Sequence, residues 1–539
     1  MKRCPKCRRD YYDDSLLYCL DDGSALLEGP VGIHSTGTPS IHETDTPRAE
    51  PETKIFGDIG GHQAGDTNAI AVLPFANMSR DADAEYFSDG LAEELLNVLS
   101  KIKGLRVAGR TSSFSFKGKQ TNFAEIGRTL NVSSVLEGSV RMAGKHVRIA
   151  VQLVNVADGY HLWSESYDRT MDDIFEIQDD IAHSVVEELR SRLIGSPRDP
   201  NLSKKIAAEV ADAAKGRAAD PEAHRLMLLG RHYASMVNRE AMLQAIEYFR
   251  QALELAPDNA MCWVELGIAE SASASYGWSE FLEGFEKAGE AARKALSLQP
   301  DLAAGHALTG HVQLSQKLDF RGAEASIRRA IDLEPDNIFV LSLGAFVLAR
   351  FVHRLEETLD ICRRALLLDP LNIRILNAFA MTAYFAGHLD EAETAFRRSI
   401  EIAPQGVAKR ARLGLMLLGK GRVNEARSVA AAEPEGLWRL WSLAIIENAA
   451  GQENEARFAL DDLIARYSDT GHFQIAEVYS SLGEPDKAFE WLERAFAGHD
   501  PGTSAIAVSP LLKPLHDDPR WLELLDKIGY PTGEEDRGT

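Results

Sequence analysis

Cysteine is scarce in this chain, with five residues in 539, and that excludes a fold stapled by disulfides. Long apolar runs are missing too. The longest, Ala69 to Ala76, is eight residues, far short of the roughly 18 to 20 that a membrane helix needs. The stretch from Leu343 to Val352 is broken by Arg350. No membrane span is expected, and the N-terminus lacks the apolar centre of a secretory signal, so the sequence reads as cytoplasmic. Positive charge is in deficit: 59 Lys and Arg stand against 81 Asp and Glu, a net charge of −22. This balance disfavours capture of nucleic acid or anionic lipid. Catalytic signatures are absent as well, with no H-E-x-x-H, G-x-S-x-G or kinase set. The 15 histidines show no metal-ligand spacing. The stretch Gly138 to Lys145 (GSVRMAGK) has five residues between its glycines where a phosphate loop has four, and it reads as a hairpin. Asp89, at the mouth of a strand-to-helix connection, reads as a helix-terminal cap before it reads as a ligand group. On these grounds the sequence is expected to be no enzyme.

What is present is repetition. Pro257, Pro300, Pro335, Pro370 and Pro404 follow one another at intervals of 43, 35, 35 and 34 residues. Twelve positions before each proline stand Ala245, Ala288, Ala323, Thr358 and Ala392, and five before stand Ala252, Ala295, Ala330, Ala365 and Ser399. Eight before are Phe249, Ala292, Ile327, Cys362 and Phe396. Small residues at fixed offsets let two antiparallel helices approach closely in each unit, with the proline punctuating the second. Ala426, Ala456 and Ala488 continue the pattern, and Gly387, Gly419, Gly451 and Gly483 mark turns, for seven or eight units. The pattern resembles the tetratricopeptide repeat and implies an all-α solenoid over 221–530, with the tail from Pro501 to Tyr530 as its cap. The 43-residue interval carries an insertion around Ser271 to Trp278, expected to lengthen one inter-helix turn.

Residues 1–28 hold Cys4-Pro-Lys-Cys7 and, farther on, Cys19-Leu-Asp-Asp22. Two half-sites of C-x-x-C spacing, the second ending in an acid, suit tetrahedral zinc held by Cys4, Cys7, Cys19 and Asp22. Asp21, His34 or water are alternative fourth ligands. A segment this short draws its folding energy from the metal. It resembles a miniature zinc ribbon. The basic residues Lys2, Arg3, Lys6, Arg8 and Arg9 are answered by six acids before residue 29. Residues 29–68, with 7 Gly, 4 Pro and 8 Ser or Thr, read as a flexible linker.

From Ala69 the pattern changes again. Ala69 to Phe75 suits a strand buried on both faces, and Leu91, Leu95, Leu96, Leu99 and Ile102 have helical spacing. Leu105 to Ala108 is a second strand and Phe123 to Leu130 a second helix. Val135 to Met142, Val147 to Val154 and Tyr160 to Tyr167 alternate with period two, and a long helix spans Ile174 to Leu193. The order implies a mixed α/β sheet domain over 69–195, followed by a linker over 196–220. The runs Ala71-Val72-Leu73-Pro74-Phe75, Tyr86-Phe87-Ser88-Asp89-Gly90-Leu91, Leu136-Glu137-Gly138-Ser139-Val140 and His161-Leu162-Trp163 resemble the TolB amino-terminal-like domain. That resemblance implies a place between a signalling module and tetratricopeptide repeats.

The expected function is therefore a non-catalytic scaffold or signalling adaptor, taking a protein or peptide in the groove of the repeats. In such an array the residues 4, 7, 11 and 14 past the preceding proline share one face of the first helix. After Pro370 these are Arg374, Asn377, Met381 and Tyr384. Neighbouring units add His311 and, one residue off the face, Arg350. The plainer alternative has Met381 and Tyr384 filling the inter-repeat core, with Arg374 solvated. A second class of reading makes the chain a transcription-associated regulator whose zinc segment contacts nucleic acid.

Overall fold

The structure, a computed structural model, describes residues 2–3, 10–11, 27–28, 68–79, 85–119, 121–144, 146–170, 173–194, 200–213, 220–236 and 238–531. The chain forms two compact units, residues 1–53 and 54–539. In the first, β1 (Lys2–Arg3) pairs antiparallel with both β2 (Asp10–Tyr11) and β3 (Leu27–Glu28). Cys4, Cys7, Cys19 and Asp22 lie outside the described residues.

The second unit opens with a mixed sheet. Its strands are β4 (Ala69–Val72), β5 (Ala76–Asn77), β6 (Arg106–Val107), β7 (Ser134–Ala143), β8 (His146–Asn155) and β9 (His161–Thr170), in the order β6-β4-β7-β8-β9 with β5 beside β7. Strands β6, β4 and β7 run parallel, while β7, β8 and β9 form an antiparallel meander. Gly138 to Gly144 span the end of β7 and the turn toward β8, a hairpin as expected. Alternation divides the apolar residues between two faces. Ile70, Val72, Leu136, Val140, Ile149 and Val151 point to one side, covered by α1 (Glu85–Ser100), α4 (Ile174–Ile194) and α5 (Pro200–Ala213). Ala69, Ala71, Leu73 and Val135 point to the other, against Ile126 and Leu130 of α3 (Phe123–Leu130). A short helix, α2 (Arg110–Phe114), follows β6. The expected linker is in part a helix: Ile206, Val210 and Ala213 of α5, at helical spacing, are buried in the first of these cores.

Eight helix pairs follow, joined end to end: α6 (Pro221–Ser235) and α7 (Arg239–Leu255), α8 (Ala260–Ser275) and α9 (Phe281–Leu298), α10 (Ala303–Lys317) and α11 (Phe320–Leu333), α12 (Ile338–Leu348) and α13 (Leu355–Leu368), α14 (Ile373–Ala386) and α15 (Leu389–Ile402), α16 (Lys409–Gly419) and α17 (Val423–Ala431), α18 (Leu437–Ala449) and α19 (Glu453–Tyr467), α20 (His472–Ser481) and α21 (Pro485–Ala497). The small residues sit where the helices touch: Ala245, Ala288, Ala323, Ala392, Ala426, Ala456 and Ala488 are all fully buried. At Gly310 a Cβ would lie 2.9 Å from the Ala323 carbonyl oxygen, so the two helices of that pair could not close with a larger residue. Asn259, Asn337 and Asn372 cap first helices, each accepting from backbone N–H groups of the opening turn, which meets donors the helix cannot. The insertion near Trp278 lengthens the helices themselves, to 16 residues in α8 and 18 in α9, as well as the turn between them.

The sixth pair departs from the pattern. Ala408 offers α16 no side-chain cap, and the carboxylate of Glu433 comes instead from the end of the pair, accepting from the N–H groups of Ala408, Arg410 and Ala411. Glu433 is 2% exposed. Reaching back to that position, with Pro434 behind it, ends α17 after nine residues, where α11, α13 and α15 each run to fourteen.

The tail does more than cap the last pair. Its turns Pro501–Ala505 and Pro510–Leu515 pack on α20, the helix α22 (Pro519–Lys527) sets Arg520 and Lys527 against Asp486 and Glu493 of α21, and the tail also reaches back across the array. The Tyr530 hydroxyl accepts from the Val352 N–H at 3.2 Å, and its ring meets Phe320 edge-on at 5.1 Å. No helix among the described residues is long and apolar enough to cross a membrane.

Candidate functional site

Two features of the second unit combine exposed or half-buried charge with built geometry: the wall formed by the first helices, and the seam where the α/β domain meets the repeats.

On the wall, His311 stands between the rings of Phe285 and Phe346, at centroid distances of 5.4 and 5.1 Å. Arg350 lays its guanidinium over Phe346 at 4.6 Å, and its Nε donates to the Ser504 hydroxyl of the tail at 3.3 Å. Arg374, on the next first helix, is exposed. The three share a neighbourhood: burial, and then the charges of Arg374 and Arg350, push the His311 imidazole down to about 4. Asn377 is less available than its position suggests, because its Oδ1 accepts from the Ser399 hydroxyl at 2.8 Å. Met381 and Tyr384 are half-buried against the array's core, as in the plainer alternative. Burial holds the Tyr384 phenol above its ordinary range, with Glu477 as the nearby charge.

Sequence reasoning missed Arg412 and Glu477. Arg412 lies over the Trp438 ring at 5.0 Å; burial lowers its pKa, against the pull of Glu477 and Glu433. It stands eight residues past Pro404, one off the face that was read, which is the signal that would have found it. Burial, and then Arg412, bring Arg350 down to about 10. Among the described residues Arg350, Arg374 and Arg412 form no ion pair, although the array's outer surface is laced with them. Glu477 accepts from the Ser509 hydroxyl at 2.6 Å, and burial pushes its carboxyl up to about 8.

These two shifts have opposite signs in a stability profile. A carboxyl raised from its ordinary value of 4.5 holds its proton better folded than unfolded. Its contribution is complete below about 4.5 and is lost as pH rises through about 8. His311, lowered from 6.5, contributes above about 6.5 and loses that contribution as pH falls toward 4. Glu477→Gln should therefore keep stability that the wild type loses between about pH 4.5 and 8. Melting temperatures across that range would check this, and parallel profiles for the two proteins would contradict it.

At the seam, Arg231 of α6 donates to Glu94 of α1 at 2.6 Å and to Glu265 of α8 at 2.8 Å, with side-chain exposures of 10%, 7% and 19%. Burial alone would lower the guanidinium's pKa, but Glu265, Glu94 and Glu93 outweigh it and raise it. A second contact joins the α2 segment to the junction between α13 and α14. The Gly109 N–H donates to the Leu368 carbonyl at 2.7 Å, and the Ser112 N–H to the Asp369 carboxylate at 2.8 Å. The Ser112 hydroxyl also donates to Asp369 and accepts from the Leu371 N–H at 2.8 Å. The sheet domain thus grips the array at its first and fourth junctions. Asp89 is not a cap: it lies inside α1, and its Oδ2 pairs with Lys117 at 2.6 Å. No group of three or more metal-ligating side chains occurs among the described residues.

An α/β domain locked onto eight stacked helix pairs defines a tetratricopeptide-repeat protein with an N-terminal sheet domain. Residues 241–259, 373–405 and 470–497 match the tetratricopeptide repeat family. Residues 66–184 match the family described as HilA/YgeH-like transcriptional regulator, second domain, which corrects the expected TolB amino-terminal-like assignment. Putative adenylate cyclase 3 of Rhizobium meliloti (strain 1021) is 38% identical over 200 residues, covering 37% of this chain. The match spans 32% of that relative's length. It overturns the expectation that the chain is no enzyme, which rested on missing motifs alone. Among solved structures, PilF of Pseudomonas aeruginosa aligns at 18% identity over 39% of this chain and 92% of its own, with a TM-score of 0.31. Yeast Tom70 aligns at 15% over 66% and 82%, with a TM-score of 0.33. At these scores the two likenesses carry no argument.

Proposed function

We propose that this chain is a signalling adaptor that binds partner proteins through the first-helix wall of its repeats, with the α/β domain as a second docking surface. The observation that carries the reading is the trio Arg350, Arg374 and Arg412. In a chain of net charge −22, three arginines on one wall that form no ion pair among the described residues make a local positive field suited to carboxylates of a bound segment. His311, Met381 and Tyr384 would supply ring and apolar contacts beside them, and Asn377 would act through Ser399. The contact of Ser504 with Arg350 places the tail at one edge of this surface. Partner capture by the full chain from its native lysate, compared with Arg374→Glu, tests the proposal. Arg374 is exposed, so the fold should survive while recovery of partners falls. Equal recovery would move binding elsewhere.

Zinc at Cys4, Cys7, Cys19 and Asp22 belongs to the same proposal, supported by the spacing of the half-sites. Elemental analysis should find one zinc per chain, and its absence would remove the metal. A second reading, in which the N-terminal segment contacts nucleic acid, is favoured by the match of residues 66–184 to a transcriptional-regulator family. A salt-dependent shift of DNA by the full chain, lost on removing residues 1–28, would select it over the adaptor.

A further inference from the structure

The outer surface of the array carries a ladder of ion pairs. From α11 to α17 the ninth residue of one second helix donates to the third residue of the next: Arg328 to Glu357 at 3.1 Å, Arg363 to Glu391 at 2.8 Å and Arg397 to Glu425 at 2.7 Å. In α17 the ninth residue is Ala431, the last of that shortened helix. The next acceptor, Glu455 of α19, is exposed and forms no ion pair among the described residues. Arg427 turns instead to Glu447 at 2.6 Å and acts on Glu455 only from a distance.

Where the ladder breaks, a groove of about 670 Å³ opens along α18 and α19. Leu440, Leu443 and Ala459 form its floor. At its lip stands Phe458, 77% exposed, more than any other large apolar side chain among the described residues. Charge around the opening is mainly negative: Glu435, Glu447, Glu455 and Asp462 against Arg439 and Arg466.

We propose that this groove seats one amphipathic helix of a partner protein, laid along α18 and α19. Its apolar face meets Leu440, Leu443 and Phe458, and a lysine or arginine on its flank completes the ladder at Glu455. Three independent features specify this occupant. The groove runs along both α18 and α19, the floor is apolar where a second helix would bury it, and the unfilled acceptor selects a cation. Although α18 is itself a first helix, none of these groove residues is among His311, Arg350, Arg374, Met381, Tyr384 or Arg412, so the inference does not depend on the reading of that wall.

The array supplies a probe, since α15 is a second helix that carries both elements, Phe396 and the ladder cation Arg397. A fluorescein-labelled peptide of residues 389–402 (LDEAETAFRRSIEI) is titrated with the full chain and followed by anisotropy. Saturable binding is expected, weakened about tenfold by Phe458→Ser and by Glu455→Lys. Both positions are exposed, so neither change threatens the fold. The same peptide with glutamate in place of Arg397 should bind Glu455→Lys better than it binds wild type, which fixes the pairing to the ladder. Absent binding, or affinity unchanged by both substitutions, overturns the assignment. Sedimentation provides the remaining arm: a wild-type dimer that Phe458→Ser converts to monomer would give the groove to a second copy of the chain and overturn the partner helix.

Discussion

Arg231→Ala is expected to destabilise the second unit by about 3–5 kcal/mol. The guanidinium pairs with both Glu94 and Glu265, and those carboxylates are 7% and 19% exposed. Removing it leaves two negative charges facing each other in a site where water cannot replace the lost bonds. The loss should appear as a lower urea midpoint, with the sheet domain and the first repeats unfolding together because Glu94 lies on α1 and Glu265 on α8. A triple variant, Arg231→Met with Glu94→Gln and Glu265→Gln, removes all the charges at once and should recover most of the loss. A loss below about 1 kcal/mol for Arg231→Ala would show that the network is solvated and holds nothing.

Asp369→Ala should cost about 2–3 kcal/mol, since it strips a carboxylate acceptor from a buried N–H and hydroxyl. Asp369 is 1% exposed, and Ser112, which donates to it, is fully buried. Gly109→Ala attacks the same contact from the other side, because a Cβ there would lie 2.3 Å from the Asp369 Cγ. Both variants should raise amide hydrogen exchange in residues 105–116 and 365–372 together, as the α2 segment lifts from the array. Exchange that stays at the wild-type level in both segments would mean that the seam is held elsewhere.

Much of this architecture is legible from local pattern. The small residues around Ala323 and Ala392 predict where helices touch, and the alternation of Val147, Ile149, Val151 and Leu153 predicts the inner face of β8. These signals work because each depends on neighbours within one or two turns. The seam has no such signal: Asp369 lies in an ordinary repeat junction, and its partner Ser112 is 257 residues away. Helix α5 was hidden for a related reason, since Ile206, Val210 and Ala213 make a face that only α1 and α4 complete. The candidate wall was half legible. Counting from Pro370 finds Arg374, but Asn377 turns out to serve Ser399, and Arg412 falls one residue off the chosen face. The shortened α17 carries no local sequence signal, because its cause is Glu433 folding back to cap α16.

The claim that the repeat wall receives an anionic segment is tested most directly by titrating a labelled glutamate-rich peptide into the full chain and following anisotropy at low and high salt. The account predicts saturable binding that weakens as salt rises and falls about tenfold in Arg374→Glu and in Arg412→Glu. No binding at low salt, or equal affinity for wild type and both variants, would contradict it.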